Sequence, residues 1–250
     1  MIALITGATS GIGKASAEIF AKNGYDLIIT GRRGGRLTEI GSHLEKEYKV
    51  KVCKLEFDVR KLAEVKKNFS TLPPAFREID ILVNNAGLAS GLSAIQDGDI
   101  EDWEKMIDTN IKGLLYVTKE VAALMIPRKK GHIINIGSVA GKEVYANGNV
   151  YCASKHAVDA LNKGMRIDLL QHNIRVSAVN PGMVETEFSV VRFHGDEERA
   201  KKVYMGMQPL TPQDIAETVF WIASRPAHVN INDVIITPTA QANATTVNRK

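Results

Sequence analysis

The sequence is poor in cysteine and has no long apolar run, and each shortage excludes a class of protein. It has two cysteines, Cys53 and Cys152, among 250 residues. Two are too few for a disulfide framework and are typical of a reducing compartment. No apolar run approaches the roughly 18 residues that cross a bilayer. A strand-like segment follows Met1 directly, so we expect no signal peptide, no membrane partner and a cytoplasmic location.

Neither sign of charge is in large excess, since 32 lysines and arginines face 28 aspartates and glutamates, for a net charge of +4. The tightest basic cluster, Arg128–Lys130, follows an apolar helical stretch, where cations favour the negative end of the helix dipole. No aromatic residues alternate with it, as they do on surfaces that bind single-stranded nucleic acid. We therefore expect no nucleic-acid partner.

What the sequence does contain is a regular alternation of short β-branched runs with longer helical segments. Strands are predicted at Ile2–Thr6, Leu27–Thr30, Val52–Phe57, Ile79–Val83, His132–Gly137, Ile174–Asn180 and Asp233–Thr237. Helices are predicted at about Lys14–Asn23, Leu37–Glu47, Leu62–Phe69, Ile100–Ile126, Val150–Gln171 and Pro212–Ala223. The strands are continuously apolar, as in sheets covered on both faces. This pattern predicts an α/β fold, a doubly wound parallel sheet of about seven strands.

No linker or repeat divides the chain, so we expect residues 1–250 to form a single domain. The least regular segment is Pro181–Thr211, in which one helix is predicted at Asp196–Met205. Long connections in compact α/β domains often cover a binding site. We therefore expect a substrate flap at about residues 182–211.

The first predicted strand runs into a glycine-rich turn, T-G-A-T-S-G-I-G at Thr6–Gly13, and a helix follows. Glycines let the backbone approach a pyrophosphate, which the free N–H groups at the helix start bind. Ala8 stands where a nucleotide-hydrolysing P-loop needs glycine, and Ala15 lacks the hydroxyl that binds Mg²⁺ there. The context favours dinucleotide binding over a turn that only permits tight packing.

The end of the second strand indicates which dinucleotide is bound. A carboxylate there binds the ribose 2′-hydroxyl of NAD, whereas arginine accommodates the 2′-phosphate of NADP. The chain has Arg32 and Arg33 at this point and no carboxylate. Either arginine can bind a phosphate with two hydrogen bonds, so we predict NADP. The alternative is a pair of solvated loop arginines.

Tyr151 and Lys155 are four residues apart, so they share one face of a predicted helix. Free tyrosine has a pKa near 10, and a neighbouring ammonium lowers it, which makes the phenol a candidate general acid and base. Ser138 ends the fifth predicted strand, at the edge where ligands bind in open α/β sheets, and can polarise a substrate oxygen. The alternatives are an exposed Tyr–Lys pair and a hydroxyl bonded only to backbone.

Several motifs, taken in their order along the chain, resemble those of the short-chain dehydrogenase/reductases. The resemblance runs along nearly the whole chain and implies a Rossmann-type sheet, hydride transfer with NADP and no metal. The motifs are Thr6–Gly13, Asp58-Val59, Asn84–Gly87, Asn110, Ser138, Tyr151 with Lys155, and Pro181-Gly182.

The resemblance also implies roles for individual residues. Tyr151 exchanges a proton with the substrate oxygen, which Ser138 polarises. Lys155 lowers the pKa of Tyr151 and binds the nicotinamide ribose, and Asn110 holds a water in the proton relay. The cofactor-binding residues, with the two arginines, are Gly7, Ala8, Thr9, Ser10, Gly11, Ile12, Gly13, Arg32, Arg33, Asp58, Val59, Asn85, Ala86, Gly87, Tyr151, Lys155, Pro181, Gly182, Val184 and Thr186.

The C-terminal third bears a closer resemblance, to the NADP-dependent 3-hydroxy acid dehydrogenases that oxidise serine or allo-threonine. It rests on Pro181–Phe188, Val191–Phe193, Leu210–Pro212 and His228–Asn232. It implies oxidation of the 3-hydroxyl of small acids of the serine, allo-threonine or 3-hydroxyisobutyrate type, or reduction of the matching semialdehyde, by a homotetramer. Arg192 is the candidate partner of the substrate carboxylate, and Tyr145 and Asn147 are expected to line the pocket with Ser138 and Tyr151.

Two alternatives remain. The same scaffold can reduce other ketones or 3-oxoacyl thioesters, or it can be a non-catalytic NADP-binding regulatory protein. The second is disfavoured because a binding module has no need of Tyr151. The six histidines show no metal-ligand spacing, which agrees with a reaction that needs no metal.

Overall fold

The computed structural model describes residues 1–250 and places seven parallel strands in one sheet. The strands are β1 (Ile2–Ile5), β2 (Asp26–Gly31), β3 (Val52–Glu56), β4 (Ile81–Asn84), β5 (Gly131–Ile136), β6 (Ile174–Pro181) and β7 (Asp233–Ile236). Their order across the sheet is β3-β2-β1-β4-β5-β6-β7. Each observed strand overlaps its predicted counterpart, and the parallel seven-stranded sheet is confirmed.

Helices cover both faces of this sheet. They are α1 (Gly11–Lys22), α2 (Gly34–Tyr48), α3 (Leu62–Ser70), α4 (Ile100–Ile107), α5 (Leu114–Met125), α6 (Asn149–Asp168), α7 (Phe188–Arg192), α8 (Glu197–Lys202) and α9 (Pro212–Ala223). Ile5 of β1 packs in a core with α1, α2 and α9, and its neighbour Leu4 packs in a second core with α3, α5 and α6. Both side chains are fully buried, which explains why the strand sequences are continuously apolar.

The strand order reverses at β1, which pairs with β2 on one side and with β4 on the other. The connections that follow β1 and β4 therefore leave the sheet toward opposite faces and open a crevice at their carboxyl ends. The glycine-rich turn lies at this point, because Thr6 N–H donates to the Val83 carbonyl and Ala8 N–H donates to the Thr30 carbonyl.

The helix predicted at Ile100–Ile126 is split in two. α4 and α5 are separated by a π-helical turn at Asp108–Gly113. Within this turn the buried side chain of Asn110 bonds to groups on two other segments, and π-helical turns are common where a helix is distorted at a functional site. The apolar residues of the two helices pack in different clusters, since Met106 of α4 lies near Tyr151 and Val117 of α5 lies in the core with Leu4.

The predicted helix Asp196–Met205 is observed as the shorter α8, and a second short helix, α7, precedes it. In the basic cluster, Arg128 and Lys130 each form an ion pair with Asp80, at 2.9 and 2.8 Å.

None of the helices combines the length and apolar character needed to cross a bilayer.

Candidate active site

A cleft of about 650 Å³ opens at the carboxyl ends of the central strands. This volume lies within the range of about 300–1,000 Å³ found for small-molecule sites. The predicted site residues that line it are Gly7, Thr9, Ser10, Gly11, Ile12, Arg32, Arg33, Asp58, Val59, Asn85, Ala86, Gly87, Ser138, Tyr145, Tyr151, Lys155, Pro181, Gly182, Val184, Thr186 and Arg192. The sequence motifs, far apart along the chain, therefore meet in one place.

Four predicted site residues do not line the cleft. Ala8 is fully buried beneath the turn. Gly13 packs against the Gly7 carbonyl and has no room even for a methyl group. Asn147 is exposed on a left-handed turn, with φ of +64°, and borders a small adjoining hollow. Asn110 lies behind the wall, where its side chain bonds only to protein groups.

The glycine-rich turn is held in place by Asn85. Its side-chain amide donates to the carbonyls of Thr6 and Gly7, at 2.8 and 3.2 Å. Gly7 and Gly11 have φ of +66° and +51°, a region that favours glycine. The first N–H groups of α1 have no intrahelical acceptor, and no side chain caps them. The turn therefore presents free donors to the cleft, as a pyrophosphate requires.

The two arginines at the end of β2 differ in their surroundings. Arg33 donates from Nε and Nη2 to the Thr9 hydroxyl, at 3.1 and 2.8 Å, and from Nη2 to the Ser10 hydroxyl at 2.8 Å. Arg32 is exposed on the cleft wall and makes no ion pair or hydrogen bond within the protein. One guanidinium is thus fixed against the glycine-rich turn, and the other is free to bind a ligand.

Asp58, a predicted cofactor-binding residue, lies at the cleft with its carboxylate bound by Arg60. The Arg60 Nε and Nη2 atoms donate to the Asp58 Oδ2 atom at 2.9 and 2.6 Å. Burial would raise the pKa of Asp58, but the hydrogen bonds from Arg60 outweigh it and hold that pKa below its usual value. Asp58 is therefore ionised at neutral pH and fixed in position.

Tyr151 and Lys155 project from α6 into the buried end of the cleft. Burial, reinforced by the neighbouring Tyr145, raises the pKa of Tyr151, although a hydrogen bond with Ser138 and the charge of Arg192 lower it in part. Lys155 Nζ donates to the Ile136 carbonyl at 2.9 Å, and burial lowers the pKa of Lys155 to about 8. Burial of the phenol dominates the pKa of Tyr151 in this structure, and the lowering of that pKa by Lys155 stays a prediction.

Ser138 stands at the end of β5 as predicted, and its hydroxyl accepts a hydrogen bond from Ala140 N–H at 3.1 Å. This bond caps a short 3₁₀ turn at Val139–Gly141 and fixes the hydroxyl beside Tyr151. Apart from the Tyr151 oxygen beside it, the hydroxyl proton has only a distant internal acceptor, the Pro181 carbonyl at 3.5 Å. It is therefore available to donate to an oxygen in the cleft.

Asn110 connects the π-helical turn to α6 and to the segment after β4. Its Nδ2 atom donates to the Leu88 carbonyl at 2.8 Å and to the Ser154 hydroxyl at 3.0 Å. Its Oδ1 atom accepts from Leu88 N–H at 2.9 Å. Both amide hydrogens are used within the protein, and the role of Asn110 in holding a water of the proton relay stays a prediction.

Arg192, the last residue of α7, brings a cation to the substrate end of the cleft. The guanidinium carbon lies 5.5 Å from the ring centre of Tyr145 and 5.6 Å from that of Tyr151. Its Nε atom donates to the Gly91 carbonyl at 3.3 Å. Its Nη2 atom is buried and has no hydrogen-bond partner. An unpartnered buried donor is costly, so this atom marks a place where a ligand acceptor would be stabilised.

Sequence reasoning missed several residues of the cleft wall. Among them are Glu187, Tyr204, Gln241 and Arg249. Gln241 is buried, and its Oε1 atom accepts from Met183 N–H at 2.8 Å. These residues belong to the flap and the C-terminal segment, whose places in the fold no local pattern reveals.

Comparison with known proteins agrees with this geometry. Residues 1–196 match the short chain dehydrogenase family. The NADP-dependent 3-hydroxy acid dehydrogenase YdfG of Salmonella typhi is 49% identical over 243 residues, with 97% of this chain and 96% of that protein covered. The NADP-dependent 3-hydroxy acid dehydrogenase of Schizosaccharomyces pombe is 43% identical over 248 residues, with 99% and 96% covered.

Solved structures give the same result. The closed form of a serine dehydrogenase complexed with NADP+ matches with a TM-score of 0.93 and 45% identity, over 100% of both chains. A serine dehydrogenase from Escherichia coli matches with a TM-score of 0.82 and 41% identity, over 97% of this chain and 100% of the other. The sequence motifs, the sheet and these matches agree, and the chain belongs to the short-chain dehydrogenase family.

Proposed function

We propose that this protein is an NADP-dependent oxidoreductase that oxidises the 3-hydroxyl of small 3-hydroxy acids or reduces the matching semialdehydes. The observation that carries the substrate class is the buried, unpartnered Nη2 atom of Arg192 beside the ring of Tyr151. A carboxylate is the acceptor that a guanidinium binds most strongly. A small acid whose carboxylate binds Arg192 would have its β-carbon within reach of the Tyr151 phenol.

The residues around the glycine-rich turn fit NADP. The free N–H groups at the start of α1 suit its pyrophosphate, and the exposed guanidinium of Arg32 suits its 2′-phosphate. Lys155, Val184 and Thr186 also line the cleft, and they would hold the nicotinamide half. When bound, NADP supplies the hydride acceptor of the reaction.

The chain's own residues move the proton. In oxidation, the Tyr151 phenol first loses its own proton, and the resulting phenolate takes the proton of the substrate hydroxyl while the Ser138 hydroxyl donates to the same oxygen. In reduction, the phenol donates the proton, and its raised pKa keeps it protonated at neutral pH. Asn110 is a positioning residue. Its side chain bonds both to α6, which carries Tyr151, and to the segment at Leu88. The flap, residues 182–211, closes the substrate end of the cleft and excludes water.

A second candidate function, reduction of bulkier ketones or acyl thioesters, is favoured by one observation. Apolar side chains occupy much of the cleft wall near the flap, including Leu88, Leu92, Phe188 and Val191. Such a wall suits an apolar substrate better than a small charged one. A requirement for a substrate carboxylate distinguishes the two functions.

We also propose that the protein acts as a homotetramer in the cytoplasm. Exposed apolar side chains support assembly, among them Ile167 and Leu170 at the end of α6 and Ile235 on the edge strand β7. Cys53 and Cys152 are both free thiols, as is usual for proteins of a reducing compartment.

Steady-state oxidation of L-serine, L-allo-threonine and 3-hydroxyisobutyrate, with NADP and NAD in parallel, tests the proposal. We expect turnover with NADP, much weaker turnover with NAD, and a loss of at least about a hundredfold in Tyr151→Phe. Tyr48→Phe, at the end of α2 and away from the cleft, is the matched control. Activity on neutral ketones with NADPH but on none of the three acids would favour the second candidate.

A further inference from the structure

The flap is joined to the far side of the cleft by a single carboxylate. Glu187, next to α7, accepts from Arg33 Nη1 at 2.9 Å through one oxygen and from Arg36 Nη1 at 2.8 Å through the other. The two arginines belong to the start of α2, more than 150 residues away in sequence. One carboxylate that bridges two guanidinium groups is a small network rather than an isolated surface pair.

The path of the flap places this contact across the cleft. The segment leaves β6, and Thr186 passes over the glycine-rich turn so closely that a Cβ on Gly11 would lie 3.3 Å from the Thr186 Cγ2 atom. Glu187 then reaches the start of α2. The glycine-rich turn, expected to hold the pyrophosphate, is therefore crossed by a segment that is anchored on both sides.

The contacts of Arg33 separate its role from that of Arg32. Three of its hydrogen bonds go to Thr9 and Ser10, and a fourth goes to Glu187. A guanidinium has five N–H donors, so little of Arg33 remains for a phosphate. Arg32 keeps all of its donors.

We propose that Glu187, anchored by Arg33 and Arg36, is a positioning residue that holds the flap across the cofactor and slows cofactor release, while Arg32 alone recognises the 2′-phosphate. The proposal rests on the proposed function in that the cleft must bind NADP. Loss of the Glu187 carboxylate then frees the flap on this side without touching any group that contacts the reacting atoms. Loss of this contact should therefore speed release of the cofactor, whether or not the cofactor carries a 2′-phosphate.

Stopped-flow fluorescence of bound NADPH and NADH, displaced by excess NADP+, measures release directly and needs no substrate. We expect Glu187→Gln to release both cofactors faster by about tenfold, with association rates unchanged within about twofold. Arg33→Ala should act in the same direction. The double variant should release no faster than the faster single variant, because both changes break one contact. Glu185→Gln, an exposed flap carboxylate without an ion pair, is the matched control.

Each other outcome overturns the inference. Slower release of NADPH alone in Glu187→Gln would mean that the carboxylate repels the 2′-phosphate rather than retaining the cofactor. Equal release rates for Glu187→Gln, Glu185→Gln and wild type would remove the positioning role and leave the proposed function intact. Failure of the wild-type protein to bind NADPH at all would overturn both proposals. Urea denaturation of each variant checks that its free energy of unfolding is unchanged.

Discussion

The side-chain nitrogen of Asn85 occupies the space that a Cβ on Gly13 would need. The same amide donates to the carbonyls of Thr6 and Gly7, so it cannot move aside without releasing the glycine-rich turn. Glycine is therefore required at position 13 because α1 must pack closely against the turn. Its backbone conformation does not require glycine. Asn85 and Gly13 together set the distance between the first helix and the segment after β4.

Gly13→Ala should destabilise the protein by about 1–3 kcal/mol and weaken NADPH binding, because the added methyl group overpacks the contact with Asn85 and the Gly7 carbonyl. Urea denaturation and fluorescence titration measure the two effects. Gly35→Ala is the control, since Gly35 lies near the start of α2 with nothing within 4 Å of its Cβ position. That variant should be unchanged or more stable, by up to about 1 kcal/mol. Equal stability of the two variants would contradict the packing argument.

Arg192→Ala should raise KM for 3-hydroxy acids by about a hundredfold, because the partner of the substrate carboxylate is lost. The KM for a neutral alcohol with the same carbon skeleton should change little. Arg199→Ala removes another flap arginine, one that stacks 4.4 Å from the ring centre of Phe193, and should leave both values near wild type. Equal losses on acid and alcohol would show that Arg192 supports the flap rather than the carboxylate.

Arg32→Ala should raise the Kd for NADP by about 10- to 100-fold and leave the Kd for NAD unchanged, because only NADP carries the 2′-phosphate. Isothermal titration with both cofactors measures the change. Arg225→Ala, whose guanidinium lies over Trp221 of α9, is the control. A parallel loss of NAD affinity would mean that Arg32 contributes to the shape of the site and not to recognition of the phosphate.

Lys155 should make stability depend on pH in alkaline solution. Burial lowers its pKa to about 8, whereas an unfolded lysine titrates near 10.4. Between these values the unfolded chain binds more protons, so the free energy of unfolding rises with pH. Lys155→Met removes the buried ammonium and should be more stable than wild type by about 3 kcal/mol at pH 7.

The stability advantage of Lys155→Met should shrink steadily between pH 8 and about pH 10 in urea denaturation. Tyr151 does not disturb this window, because its raised pKa places its own titration above it. Lys163→Met, an exposed lysine on the same helix, should show no such dependence. A difference between Lys155→Met and wild type that stays constant with pH would contradict the burial argument.

Local signals account for what the sequence predicted well. The helix α9 begins at Pro212 as predicted, because Thr211 and Asp214 form a reciprocal capping box at its start. The short helix α7 was not predicted, since the side chain of its N-cap residue, Glu187, makes no capping hydrogen bond. It is supported instead by contacts from elsewhere in the chain, such as the Phe188 ring 5.7 Å from that of Tyr151. Five residues without a cap carry too little periodicity to indicate a helix.

The residues of the candidate site also fall into those that the sequence predicts and those that it does not. Ser138, Tyr151 and Lys155 follow from motif and spacing, and the structure brings them into one cleft. Asn147 lies on a left-handed turn and borders a small hollow beside Tyr151 and Arg192 instead of the main cleft, which its position four residues before Tyr151 does not disclose. Glu187 was missed because its partners lie at the other end of the cleft. Residues whose roles depend on long-range contacts need the fold before they can be assigned.

The position of β1 at the centre of the sheet has a consequence for synthesis of the chain. Residues 2–5 are synthesised long before residues 81–84 of β4, yet one edge of β1 pairs with that strand. Until β4 emerges, an apolar strand edge stays unpaired and can associate with other nascent chains. Parallel pairing between such distant segments also folds slowly. The order of strands that creates the cofactor crevice thus prevents the core from closing until β4 has been synthesised. A chaperone that shields the segment before β4 would therefore raise the yield of folded enzyme.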